Sequence, residues 1–276
     1  MDNRLNLLAS DVLRRLEGNP LPAQRPQLLA CLEGVGLLRG SEGLQECSVA
    51  SLPPSVDLAP LIDHTLLRAN ATTAEVDQLC DEAMQYGFAS VCVNPLRVAR
   101  AAQRLMESQV KVCTVVGFPL GATTSTSKAA EARDAVANGA TEVDMVLAIG
   151  AAKEGDWKLV REDYKQLRAA TTGIVLKVIL ETCLLTDEEK RVACRLAAEE
   201  GLDFVKTSTG FSTGGATAAD IALMRESVGT LCGVKASGGI RTYPDALAMV
   251  LAGATRLGLS SSITVAQGGS ASGGGY

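Results

Sequence analysis

From about residue 60 onward, eight short β-branched runs alternate with longer segments rich in Ala, Glu and Leu. This alternation restricts the fold more than any other feature, because it is the signature of repeated βα units, whose helical crossovers let neighbouring strands pair in parallel. The runs are LIDHTLL from Leu61, ASVCVNP from Ala89, VKVCTVVGFP from Val110, TEVDMVLAI from Thr141, GIVLKVILET from Gly173, LDFVKTSTG from Leu202, CGVKASGG from Cys232 and TRLGLSSS from Thr255. Eight β units over roughly 210 residues predict an α/β fold, a compact (β/α)8 TIM barrel, with a doubly wound open sheet as the alternative.

Between the runs, aliphatic residues at three- and four-residue spacing predict helices over 71–86, 128–138, 187–200 and 217–226. Thr186 followed by Glu189 reads as a capping box, and Gly201 as the stop signal of the same helix. The first 55 residues differ. Leu5, Leu8, Val12 and Leu16 fall on one helical face, Pro20 to Pro26 make a break, and 27–38 reads as a second helix. The predicted organisation is a helical extension over 1–55, the barrel over 56–265, and a flexible Gly/Ser tail over 266–276 that ends in Tyr276.

A chain of 276 residues with 47% hydrophobic content can fill a large core. Its net charge of -5 and 3% aromatic content carry no basic cluster and no stacking platform, which argues against a nucleic-acid partner. No stretch approaches a membrane span, and the opening MDNRLNLLAS has no apolar core long enough for a signal peptide, so a cytoplasmic location is expected. Eight cysteines without a C-x-x-C pair, together with a single histidine, predict reduced thiols and no metal.

Three lysines stand at equal intervals in strand-like runs: Lys177 in IVLKVIL, Lys206 in DFVKTST and Lys235 in CGVKASG, each 29 residues after the last. Burial disfavours an ammonium group, and an uncharged amine is a nucleophile. Lys206 stands just before a Thr-Ser-Thr-Gly turn and one βα unit from Lys235. Repulsion between two adjacent ammonium groups favours the neutral form of one, so Lys206 is the candidate for Schiff-base formation and Lys235 its perturbing cation. Asp144 is the candidate proton carrier. Asp63 and Asn94 also fall at strand ends, where barrel sites are built, and side-chain alternation predicts that Lys177 and Glu181 share a face and pair. A lysine at a strand end can also simply reach water along its apolar stem.

Glycine-rich turns close the last three units, at Gly210, at Gly238 and Gly239, and at Gly258 before Ser260 and Ser261. Such turns cradle phosphate through backbone N-H groups. The stretch from Gly210 to Gly214 also matches G-x-S-x-G, but a hydrolase elbow needs a histidine after the serine, and His64 lies far upstream. His64 reads as a satisfied strand-end residue.

The eight blocks, taken in order, resemble the deoxyribose-phosphate aldolase family from about Leu58 to Val265. The resemblance implies a metal- and cofactor-independent class I aldolase that reversibly cleaves 2-deoxy-D-ribose 5-phosphate to acetaldehyde and D-glyceraldehyde 3-phosphate. It implies Lys206 as the Schiff-base lysine, Lys235 as the neighbour that keeps it reactive and Asp144 as the proton relay. It implies phosphate contacts at Gly210, Gly238, Gly239, Ser260 and Ser261, and the strand-end positions of Asp63 and Lys177 make them expected substrate-binding residues as well. Tyr276 matches a terminal tyrosine thought to reach into the site. Phe211 departs from the pattern, since some members carry a basic residue there. Cys92 in CVNP is expected near the cavity, where it could capture an unsaturated aldehyde. The rival readings are another phosphate-binding barrel enzyme, either a Schiff-base aldolase or an isomerase, and a non-catalytic sugar-phosphate sensor. A homodimer is expected from the apolar faces before residue 56.

Overall fold

A computed structural model describes residues 57–268; the extension over 1–55, most of the Gly/Ser tail and Tyr276 lie outside the described residues. Eight parallel strands close into a barrel in sequence order: β1 (Ile62–Leu66), β2 (Ser90–Val93), β3 (Lys111–Val116), β4 (Glu142–Val146), β5 (Val175–Ile179), β6 (Phe204–Lys206), β7 (Gly233–Ser237) and β8 (Arg256–Leu259). Closure is made by β1 against β8, with Ile62 opposite Leu257 and Asp63 opposite Gly258. The strands are buried on both faces, which is why they read as continuous β-branched runs and not as an apolar–polar alternation.

Around the barrel lie α1 (Thr73–Tyr86), α2 (Val98–Arg104), α3 (Ser125–Ala137), α4 (Ile149–Glu154), α5 (Trp157–Ala170), α6 (Asp187–Glu199), α7 (Ala218–Val228), α8 (Tyr243–Leu251) and α9 (Ser262–Ala266). The four helices expected from periodicity are α1, α3, α6 and α7. The capping box of α6 forms as expected, with the Thr186 side chain accepting from the Glu189 N-H and the Glu189 carboxylate accepting from the Thr186 N-H. Gly201 follows in the left-handed region at φ 71°.

The main core lies between barrel and helices, and a smaller cluster of Leu67, Cys92, Cys113 and Val115, with Phe118 against it, forms a second. Helix α5 buries Val160, Asp163, Tyr164 and Leu167. The charged member of that stripe is held by Lys128 of α3, whose Nζ lies 2.7 Å from Asp163 Oδ2 and 2.8 Å from the Val146 carbonyl, both side chains being fully enclosed.

Candidate active site

Seven ionisable side chains meet inside the barrel: Asp63 from β1, Glu142 and Asp144 from β4, Lys177 from β5, Lys206 from β6, Lys235 from β7 and Arg256 from β8. Strand alternation explains the selection, because Glu142 and Asp144 are two residues apart and therefore point to one side. Register does the rest, setting Asp144 beside Lys177 and Lys206 beside Lys235.

Asp144 is the hub. Its Oδ2 accepts from Lys206 Nζ at 2.9 Å and from Lys235 Nζ at 2.8 Å, while its Oδ1 accepts from Lys177 Nζ at 2.8 Å and from the Cys113 thiol at 3.2 Å. Lys235 also donates to Asp63 and Lys177 to Glu142. Arg256 bridges the remaining oxygens, 2.6 Å from Asp63 Oδ1 and 3.3 Å from Glu142 Oε1. Four basic groups thus face three carboxylates, one basic group in surplus.

The surplus is not spread evenly. Burial works against the charge of Lys235, but Asp144 and Asp63 outweigh it and hold its pKa above the ordinary lysine value. Lys177 is held well above that value in the same way, with burial overcome by Asp144, Cys113 and Glu142. Burial would raise the carboxyl of Asp144, yet Lys177, Lys206 and Lys235 keep it well below the carboxylate range, and Asp63 is lowered against burial by Lys235, Arg256 and Lys177. Lys177 and Lys235 are therefore fixed cations on ionised partners. Lys206 has one carboxylate oxygen and shares it. It is also the lysine of the three that keeps any exposure, 3% against 0% for the others.

Beyond Lys206 the chain turns through Thr207, Ser208 and Thr209 to Gly210. A cavity of about 280 Å³ lies there, walled by Gly210, Gly238, Gly239 and Ser260 as the glycine turns imply, and also by Gly214, Gly215 and Arg241. Gly215 and Gly238 show why the wall needs glycine: a β-carbon on Gly215 would stand 2.4 Å from the Gly238 carbonyl oxygen, and Gly238 itself has φ 84°. Ser261 stands one residue past Ser260, directly before α9. Arg241 was not anticipated. Its signal is a cation directly following the GGI turn, and it brings to the cavity the positive charge that Phe211 does not. Phe211, half exposed, sets its ring edge-on to Phe118 at 5.3 Å.

Several expectations change. Lys177 does not pair with Glu181: β5 ends at Ile179, so alternation no longer applies two residues later, where Glu181 takes a left-handed backbone at φ 56°. Its carboxylate turns away to accept from the N-H and hydroxyl of Thr209. Asn94 donates to the Leu67 carbonyl at 2.9 Å and ties two loops together. His64, on the outer side of β1, is satisfied as expected by Ser262 and Glu82, and Ser212 of the dismissed G-x-S-x-G match has Cys183 beside it.

Cys92 is fully buried opposite Cys113 on the neighbouring strand. A hydrogen bond with Cys113, aided by the Lys235 and Lys206 charges, lowers its thiol pKa against burial, whereas burial pushes Cys113 well up. The fold also gathers two ligand-type trios that spacing along the chain did not reveal, Cys92 with Cys113 and Asp144, and Asp63 with Cys113 and Glu142. Their carboxylates already accept from ammonium or guanidinium groups, so the site's positive charge comes from side chains.

The family described as DeoC/LacD family aldolase matches residues 58–270. The deoxyribose-phosphate aldolase of Brevibacillus brevis is 60% identical over 215 residues, covering 78% of this chain and 97% of that protein. That of Carboxydothermus hydrogenoformans is 57% identical over 218 residues, covering 78% and 96%. Among solved structures, the deoxyribose phosphate aldolase of Aeropyrum pernix, described as a tetramer, superposes with a TM-score of 0.72 at 33% identity, covering 89% of this chain and 97% of that one.

Proposed function

The chain belongs to the DeoC/LacD family of aldolases, and from that premise we propose that it cleaves 2-deoxy-D-ribose 5-phosphate reversibly to acetaldehyde and D-glyceraldehyde 3-phosphate through a Schiff base on Lys206. The observation that carries the assignment is the sharing of Asp144 Oδ2 by two amines of unequal support. Lys235 has a second carboxylate, Asp63, whereas Lys206 has none and keeps some exposure where Lys235 has none.

In this reading the Lys206 amine adds to the C1 aldehyde of the open-chain sugar, and loss of water from the carbinolamine gives an iminium. As the C4 hydroxyl gives its proton to the relay at Asp144, the C3–C4 bond breaks and its electrons pass into the iminium, releasing glyceraldehyde 3-phosphate and leaving an enamine that later takes up a proton. Protonation of the enamine carbon regenerates an iminium, and water then frees acetaldehyde and the lysine. Asp144 stays ionised, so it passes protons without storing one. The ammonium of Lys235, 2.8 Å from the same oxygen, is the fixed cation that completes this relay.

The phosphate would sit in the glycine-walled cavity against Gly210, Gly238, Gly239, Ser260 and Ser261, with Arg241 supplying charge. Asp63 and Lys177 would hold the polar end of the site in place. The homodimer expected from residues 1–55, a cytoplasmic location and an approach of Tyr276 to the site belong to this proposal as well. The direct test is steady-state cleavage of 2-deoxyribose 5-phosphate by wild type and Lys206→Ala. Activity in the wild type and its loss in the variant support the reading, and an active variant overturns it.

A further inference from the structure

We propose that His64 is a positioning residue for phosphate recognition, acting through Ser262 on the turn between β8 and α9; this rests on the placement of the phosphate in the glycine-walled cavity. His64 is nearly enclosed and its ring meets Phe88 edge-on at 5.2 Å. Both nitrogens are engaged. Nε2 lies 2.7 Å from Glu82 Oε2 and Nδ1 lies 2.9 Å from Ser262 Oγ.

The partners fix the roles. A carboxylate can only accept, so Nε2 carries the proton that points to Glu82, and in the neutral ring Nδ1 is then a bare lone pair that accepts the Ser262 hydroxyl. Glu82 is itself held, its other oxygen accepting from Gln78 Nε2 at 2.8 Å. A continuous line therefore runs from α1 through β1 to the first residue of α9.

Ser262 matters because of what precedes it. Leu259 and Ser260 wall the cavity, and Ser262 Oγ lies 3.1 Å from the Leu259 carbonyl, so that carbonyl and His64 Nδ1 compete for the one hydroxyl proton. By drawing that proton to Nδ1, His64 anchors the turn to the barrel from outside. Peptide N-H groups recognise phosphate only when aimed at it, and small misplacements are costly. The ring touches no part of the cavity, so its effect must reach the phosphate and leave the reacting carbons alone.

The test compares 2-deoxyribose 5-phosphate with unphosphorylated 2-deoxyribose in wild type, His64→Leu, His64→Asn and Ser262→Ala, using inorganic phosphate as a competitor. With His64→Leu, KM for the phosphorylated sugar and the phosphate inhibition constant should both rise about fivefold, the worth of one hydrogen bond. The kcat, and kcat/KM for 2-deoxyribose, should hold. An amide oxygen at 64 can still accept from Ser262, so His64→Asn should recover most of the affinity. Ser262→Ala should copy His64→Leu and add nothing to it in the double variant, which keeps the idea testable if the leucine variant folds poorly. Equal losses on both sugars, an asparagine variant no better than leucine, or additive single effects would each overturn it. Failure of inorganic phosphate to compete in the wild type would instead overturn the cavity assignment and this proposal with it.

Discussion

Lys206 and Lys235 donate to the same oxygen of Asp144, at 2.9 and 2.8 Å, from adjacent strands in direct register. Lys235→Met removes the fixed cation while keeping an unbranched stem of similar length. Cleavage of 2-deoxyribose 5-phosphate should fall by about 10²- to 10⁴-fold, the range for losing a positioned proton donor, with an unchanged circular dichroism spectrum. A variant within tenfold of wild type would show that Lys235 is dispensable.

The acid side of the stability profile follows from Asp63 and Asp144. Both have folded pKa values below the unfolded value of about 3.9. The stability they contribute is complete above that value and drains away as pH falls through the folded values, because the unfolded chain then binds protons that the folded one refuses. Asp63→Asn should therefore be much less stable than wild type in urea at pH 7, and the gap should shrink below about pH 4, where the unfolded wild-type carboxyl takes up its proton. A gap that stays constant or widens in acid contradicts the ion network.

Burial alone does not make a lysine reactive. Lys128 is as enclosed as Lys177 but sits outside the barrel interior, on Asp163. Lys128→Met should cost about 3–5 kcal/mol by stranding Asp163, and Lys128→Met/Asp163→Leu should recover much of it. The kcat per folded molecule should be unchanged in both, as read by chemical unfolding alongside active-site titration. A loss of kcat with full folding would mean that this pair communicates with the site.

Cys92 has a lowered thiol pKa while its neighbour Cys113 is raised. An α,β-unsaturated aldehyde entering the cavity should bond through its β-carbon to Cys92 sulfur, the thiol proton ending on the α-carbon. Peptide mass mapping should find the adduct on Cys92, and Cys92→Ala should resist inactivation. Equal inactivation of that variant, or an adduct confined to the exposed Cys183, would refute this.

Much of this was legible in the sequence for a physical reason: strands buried on both faces must be apolar throughout, so the eight β-branched runs mark the eight strands. Helices α1, α3, α6 and α7 carry visible periodicity. Helix α5 was concealed because its inward stripe includes Asp163, whose burial makes sense only with Lys128 in place. Lys206, Lys235 and Asp144 stand out as charges within strand-like apolar runs. Glu142 could have been found from its two-residue spacing to Asp144, and Arg241 from its place after a glycine turn. Arg256 could not, since its partners Asp63 and Glu142 are 193 and 114 residues away and meet it only across the closed barrel. The same holds for the hydrogen bonds of His64 to Glu82 and Ser262.

The central claim concerns which nitrogen bonds to carbon. Incubation with acetaldehyde and borohydride, followed by peptide mass mapping of wild type and Lys206→Ala, reads it directly. A two-carbon adduct on the peptide bearing Lys206, absent from the variant, is the expected outcome. An adduct on Lys235 or Lys177 in the wild type, or none at all, would contradict it.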